Sequence, residues 1–511
     1  MKTNRLIVRI IAIVAVLAML LGFGGCVKSY NSDPTVVKCG SVKLGLQRYL
    51  NAFKNSSYYQ YYQYGYLDAD TYKEFVLNEL ISYGVQLDQA KKQGITLTAE
   101  EEEKVKADVE EQLTKYLSDT YKDSIDKDLT DATEIYNAEM ELFVKDLKAN
   151  GTSLKAYRAD LEESIRNSAL VNKLRDSVVG DITVNDDDVK SYFNDNMSTT
   201  TAISTFNSNF SSFISGSSST IPSYMPIVKA EEPAEGEEAK EPNPYDELFS
   251  VLHLLVKFET APEDDVTDLA AYAAEDSQLT KTMQLVEEQI PNITAEQFIN
   301  DYCFSTSFCE DPGMDNECYQ YFGYIMSEAL IDSYYEGFGE AAMKLKYPDW
   351  EPKAEEETSE TETEEKPEVD HNITPFTLSD GTQIMRVFSG AGVHYVILNP
   401  NNWNAMYDEE GKLQVVLYDG ENPVKEGDAY KTINGTVTEE QFNAMQEAFS
   451  HVGDKKAEDF VASTCKTIYD YFKDAALTAA QNTAYNAKFT EWKDATKIKI
   501  NESILKGLSI S

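Results

Sequence analysis

Leu248–Phe258 reads LFSVLHLLVKF, a run of β-formers with one imidazole at its centre. A second apolar run, GVHYVIL from Gly392, repeats the arrangement around His394. An imidazole in such a run must find a partner, because an unpaired buried polar group costs about 1–3 kcal/mol. Alone, such a histidine reads as a satisfied core residue. Two of them, in segments that can lie as neighbouring strands, must bond each other or a nearby hydroxyl or carboxylate. The chain has only four histidines in 511 residues, so this pair constrains the fold more than any other feature.

Around these strands the pattern is helical. In 70–93, Leu77, Leu80, Ile81, Gly84 and Leu87 fall at helical spacing, and Gly94 stands where a C-terminal cap is expected. Thr98 and Glu101 have capping-box spacing and start the next helix. Helical pattern continues to Val179, broken at Gly151. The stretches DITVNDDDV, PNITAEQFI and NGTVTEEQF share one logic: a short β-branched run, a capping residue, then acidic or amide residues in the first turn. Near the C-terminus 457–494 reads as helix, followed by an alternating strand in TKIKINESIL; TVVKCGSVKL near the N-terminus reads as a possible strand. The aromatic run SSYYQYYQYGY reads as the wet side of a packing surface rather than a stacking platform for a peptide. Two segments read as unstructured: 198–240, Ser/Thr-rich and then Glu/Ala/Pro-rich, and 352–370, almost all charge and hydroxyl. Neither carries enough apolar area to offset its ordering entropy.

The chain opens MKTNRLIVRIIAIVAVLAMLLGFGGC: a basic n-region, an apolar h-region and small residues before a cysteine. This is the pattern of an export signal. The Gly24-Gly25-Cys26 ending resembles a bacterial lipobox, with Cys26 as the lipidation site; an uncleaved membrane anchor is the alternative. Either way the expectation is a chain tethered to the membrane on its extracytoplasmic face. With 88 acidic against 45 basic residues, a net charge of -43, nucleic acid is not an expected partner. Cys39, Cys303, Cys309, Cys318 and Cys465 remain after Cys26, an odd set with no CxxC pair, and Cys303, Cys309 and Cys318 are spaced more widely than metal clusters favour. No metal site is expected.

Four pieces resemble the parvulin-type peptidyl-prolyl isomerases, in the family's order. LHLLVKF is similar to the opening His-containing strand. FSTSFCEDPG, at Phe304–Gly313, is similar to the loop bearing an Asp or Cys. FGEAAMKLK, at Phe338–Lys346, is similar to the Phe-Glu-x-Ala helix, and SGAGVHYVIL to the closing Gly-x-His strand. The flanking ELISYGVQLDQAKKQGITLTAEEEEKV and AKFTEWKDATKIKINESIL resemble the helical part of exported parvulin foldases, PrsA-like lipoproteins and SurA-like chaperones. The family's Gly-Gly-x-Leu-Gly segment is absent, with ECYQYFGYIM in its place, and Ala391 stands three before His394 where some members carry a hydroxyl or an aromatic.

The resemblance implies an α+β fold: a helical chaperone domain, built from N- and C-terminal segments, around a small antiparallel parvulin-like domain. The implied boundaries are 1–25 signal peptide, 26–196 helical part, 197–244 linker, 245–400 parvulin-like domain with an acidic insertion at 350–371, and 401–511 mostly helical and packing back on the N-terminal part. It implies peptidyl-prolyl cis-trans isomerase activity on unfolded or newly exported polypeptides with X–Pro bonds, without cofactor. His253, His394 and Asp311 are the implied catalytic set, with Cys309 as second candidate for the Asp/Cys position. Phe338 is the implied wall of a proline pocket, with Tyr334 one helical turn earlier and Met343 either beside the pocket or in the core. A chaperone with a non-catalytic parvulin domain is the first alternative. A solute-binding lipoprotein is the second, which the scarcity of strands opposes.

Overall fold

The computed structural model describes residues 33–149, 151–197, 202–218, 220–228, 243–263, 265–352, 369–452 and 464–506. The leader with Cys26, most of the Glu/Pro-rich stretch after 228, and the acidic run 353–368 lie outside these residues. Among the described residues no helix is long and apolar enough to cross a membrane. Helices and small antiparallel sheets are mixed, and the described residues divide into two compact units, one of those up to 183 together with those from 477, the other of those in 184–476.

In the first unit, β1 (Thr35–Cys39) and β2 (Val42–Gly45) form a hairpin. The strand Ile498–Ile500 pairs with the other edge of β1, Val37 opposite Ile500. The helix Ala69–Lys92 is capped by the Asp68 side chain and buries Leu80, Ile81, Gly84 and Leu87. Thr98 and Glu101 make both bonds of a capping box at the start of Ala99–Tyr121. That helix presents Val105, Val109, Leu113 and Leu117 at i, i+4 spacing to Phe143, Leu147, Tyr157 and Leu161 of the helices Ala132–Ala149 and Leu154–Val179. Each such fully buried side chain contributes about 1.5–3 kcal/mol. In the tyrosine run, Tyr59 and Tyr62 pack on Phe53 and Tyr72, while Tyr58, Tyr61, Tyr64 and Tyr66 are exposed.

The second unit is built on a five-stranded antiparallel sheet of β3 (Phe249–Lys257), β4 (Tyr324–Met326), β5 (Thr374–Thr377), β6 (Gln383–Ser389) and β7 (Gly392–Leu398), in the order β4-β3-β7-β6-β5. Eight of the nine β3 residues are buried, because both sheet faces are covered; this explains why its sequence is apolar throughout rather than alternating. One face carries Leu252, Leu254, Val256, Val393, Tyr395 and Ile397 against Leu269, Leu279, Val286, Phe298 and Cys303. The other carries Phe249, Val251, Val387 and Val396 against the helix Phe338–Lys346 and Trp350. His253 and His394 sit on this second face by strand parity.

Beyond Val251, no strand among the described residues pairs with β3 on its β4 side. The loop after Cys303 covers that edge. Glu310 donates its N–H to the Leu255 carbonyl at 2.8 Å, and the Glu310 side chain accepts from the Lys257 N–H at 2.7 Å. Cys309 Sγ lies 3.5 Å from Leu255 N and 3.7 Å from the His253 carbonyl oxygen. Edge groups that would otherwise be left bare are thereby satisfied, and the same loop brings Asp311 up beside His253.

Three expectations about organisation need correction. Residues 197–244 are not simply linker: Ile203–Ile214 is a helix with Phe206, Phe210, Phe213 and Ile214 buried. The Ser/Thr content conceals phenylalanines at i, i+4 and i+7, one helical face. Residues 401–437 are not helical; they form turns and short strands such as the hairpin Tyr418–Asp419/Asn422–Pro423 and the meander Lys425–Glu426, Ala429–Lys431, Thr436–Val437. Finally, the helix Asp186–Asn196 and the described residues of 401–476 belong to the central unit. Phe193 meets Phe472 edge-on at 5.0 Å, and Tyr469 donates to Asp186 at 2.8 Å.

Phe210 contacts Phe206, Phe322 and Trp403 at ring distances of 5.3, 5.4 and 6.1 Å. Phe210→Ala is therefore expected to lower the unfolding free energy of the central unit by about 3–5 kcal/mol. Ser208→Ala, at an exposed position of the same helix, should cost less than about 0.5 kcal/mol. Urea titrations followed by near-UV dichroism check this; equally small effects would mean the helix is not part of the core.

Candidate functional site

Antiparallel register fixes the site. His394 lies opposite Leu255 on β3 and opposite Val387 on β6, and His253 lies opposite Val396. The two imidazoles are thus diagonal neighbours on one sheet face, a separation that long or aromatic side chains can bridge. Their rings are nearly coplanar, 11° apart, with Nδ1 of one 3.0 Å from Nδ1 of the other. His253 Nε2 lies 2.6 Å from Asp311 Oδ2, and His394 Nε2 lies 2.8 Å from Ser389 Oγ.

Asp311 also accepts from Tyr324 O–H at 2.7 Å and from the Gly313 N–H at 2.9 Å. Burial alone would raise its carboxyl. The His253 contact, the Tyr324 hydroxyl and the Gly313 amide outweigh burial and hold it well below the usual carboxylate range. An ionised Asp311 only accepts, so His253 Nε2 carries a proton. Burial, joined by the neighbouring His253, pushes the His394 imidazole well below its ordinary value and keeps it neutral. One arrangement then gives each contact one proton without adding any: Ser389 O–H to His394 Nε2, His394 Nδ1–H to His253 Nδ1, His253 Nε2–H to Asp311. The Ala391 N–H donates to Ser389 Oγ at 3.1 Å and closes the far end. Burial and Asp311 together push the Tyr324 phenol far up, so it stays a donor.

Over this chain lies a pocket of about 380 Å³. His253, His394, Leu255, Asp311 and Tyr324 line it together with Ser333, Tyr334, Tyr335 and Phe338. Phe338 opens its helix and stands 4.9 Å from the His253 ring and 5.1 Å from the His394 ring. The Gly337 before it has φ +82, a left-handed turn suited to glycine, and a Cβ there would collide with His371. Tyr324 is delivered by a second such turn: Gly323 has φ +66, and a Cβ there would lie 2.6 Å from the Val251 carbonyl oxygen. Tyr334 donates to the Ile325 carbonyl at 2.6 Å, and burial pushes its phenol up to about 12.

The structure brings together His253, His394, Asp311, Phe338 and Tyr334. It does not bring Cys309 or Met343 to the pocket. Cys309 is buried under β3, bonded to backbone, with its thiol pushed up by burial; in the CEDPG loop it is Asp311, two residues on, that reaches the pocket. Met343 is fully buried among Phe249, Ala341 and Trp350, on the helix face turned to the sheet. Tyr334 is not one turn earlier on the same helix: it is extended chain, after a 3₁₀ turn at Glu328–Ser333 and before the helix begins. Tyr324, Ser389 and Tyr335 line or support the site and were not singled out by sequence reasoning. Ser389 had a readable signal, since the hairpin between β6 and β7 returns it diagonal to His394. Tyr324 had none, because β4 is only three residues long.

Among the described residues no group of His, Cys, Asp and Glu is arranged to hold a metal ion. The five described cysteines are buried thiols. No family model matches this chain, and no curated protein matches it in sequence.

The neutral burial of His394 has a pH consequence. With its folded-state pKa depressed below 6.5, the unfolded chain takes up the proton first as pH falls. Stability from this group is full above about pH 6.5 and is lost below it. Asp311, depressed below 3.8, adds a second loss only under more acid conditions. Urea unfolding should show the wild type about 1–2 kcal/mol less stable at pH 5 than at pH 7 through this group, and His394→Gln should remove that part of the slope. An unchanged slope in the variant would mean the imidazole is charged in the folded state.

Proposed function

We propose that this chain is a membrane-tethered, extracytoplasmic foldase that catalyses cis-trans isomerisation of X–Pro bonds in exported polypeptides, with the sheet of the central unit as a parvulin-like domain. The observation that carries the reading is the aromatic pocket set directly over the chain Ser389–His394–His253–Asp311. The four stretches similar to parvulins supply the two histidines, Asp311 and Phe338 of that constellation. The tether is read from the leader ending at Cys26.

The chemistry needs no bond to be made or broken in the substrate skeleton. Twisting the C–N bond removes amide resonance, at a barrier of about 18–20 kcal/mol. In the planar amide the oxygen carries more negative charge than in the twisted one. An ionised Asp311 beside the carbonyl therefore destabilises the planar form more than the twisted form, which is differential binding of the transition state. Removing the carbonyl from water acts in the same direction, and the rings of Phe338, Tyr334 and Tyr324 provide the apolar seat for the prolyl ring. The histidine pair holds Asp311 in place and ionised through a chain in which each contact has a donor and an acceptor; both imidazoles act here as positioning groups.

Asp311→Ala should lower kcat/KM for an X–Pro tetrapeptide on the order of 10²-fold, as for loss of a preorganised charged group. Phe338→Ala should act mainly through KM. Met343→Leu, a volume-conserving core change, should leave the rate nearly intact. His253→Ala is compared at matched stability, since it also leaves a buried carboxylate without its donor. If wild-type protein gives no acceleration over buffer yet still suppresses aggregation of an unfolded client, the chaperone alternative replaces this reading; the missing Gly-rich segment, with Glu317–Phe322 and β4 in its place, favours that alternative.

A further inference from the structure

Among the described residues the walls of the pocket carry charge of one sign. None of the nine described residues that line it is Lys or Arg, and the one carboxylate among these nine, Asp311, is held ionised. The wall segment Ser333-Tyr334-Tyr335 is bracketed in sequence by Asp332 and Glu336, both exposed. Tyr335 lines the pocket yet is 61 % exposed, with its ring 6.4 Å from the His394 ring, so one face is free to meet a ligand. A site that reads a phosphate or carboxylate beside its target bond needs clustered Arg or Lys. This one has an anion inside, two exposed carboxylates adjacent in sequence to its wall and an aromatic residue open to solvent, a combination that attracts a cation. The net charge of the chain, -43, has the same sign.

We propose that the pocket selects X–Pro bonds with Lys or Arg immediately before the proline, and disfavours Glu or Asp there. The inference rests on the isomerase reading and deepens it. The prolyl ring occupies the hollow against Phe338, and the preceding side chain leaves the hollow past Tyr335 toward Asp332 and Glu336. A cationic head there meets carboxylates and a tyrosine face; an anionic head meets like charge at both. The same field speeds encounter with basic clients, an effect that salt screens.

The test is a series of tetrapeptides Ala-Xaa-Pro-Phe with Xaa as Lys, Ala or Glu, with kcat/KM for isomerisation measured on the full chain at low and at 0.5 M salt. Peptide affinity by calorimetry is the second readout. The expected order is Lys above Ala above Glu, with Lys and Glu on the order of ten-fold apart at low salt and converging at high salt. Asp332→Lys/Glu336→Lys, at two exposed positions, should narrow or reverse the order. Equal values for the three peptides, a Glu preference, or an order unaffected by both salt and the double substitution would overturn the proposal while leaving the isomerase reading in place. If no peptide is accelerated, the isomerase reading falls, and the order of affinities still decides the charge selection.

Discussion

A histidine pair can be buried under an apolar helix only if every ring nitrogen has a partner, and that requirement organises the central unit. His394 is inside because Ser389 closes one end of the chain; His253 is inside because Asp311 closes the other. Asp311 in turn depends on the loop that seals the unpaired edge of β3. An edge repair made of hydrogen bonds to the β3 backbone thus places the pocket carboxylate Asp311. Removing one partner exposes the whole chain to the cost of an unmatched buried polar group, so the network acts as a unit and single substitutions should not sum.

Where the sequence carried local information, the fold could be read directly. The capping boxes at Thr98, Asn185, Thr294 and Thr438 are each made within four residues, and all four are present. The histidine strands were readable because a polar group in an apolar run states its own need for a partner. The diagonal placement of His253 and His394 was only conditional in the sequence, since it depends on register across 141 positions. Composition misled at Ile203–Ile214, where serines and threonines outnumber the phenylalanines that decide the burial. It misled again after residue 400, where Trp403, Met406 and Tyr407 join a core with that same helix, an association no local pattern reveals.

The site shows the same division. Phe338 and Asp311 lay within stretches that sequence reasoning singled out. Tyr324 depends on Gly323 turning the chain into a three-residue strand, and its role as second donor to Asp311 is a product of tertiary structure. Cys309 and Asp311 are two residues apart, and nothing in the sequence separates a thiol bonded under the strand from a carboxylate lifted into the pocket. The bonds of Glu310 to the β3 backbone, one from its N–H and one to its carboxylate, make that choice.

The most direct measurement of the central claim is a long-range proton–nitrogen spectrum of the histidine rings in full-length protein at neutral pH, before and after an X–Pro peptide is added. His394 should be protonated at Nδ1 only, His253 unprotonated at Nδ1, and the His253 signals should shift with peptide while both tautomers are retained. Two ordinary Nε2–H tautomers with no bond between the rings, or ring signals indifferent to the peptide, would contradict that claim.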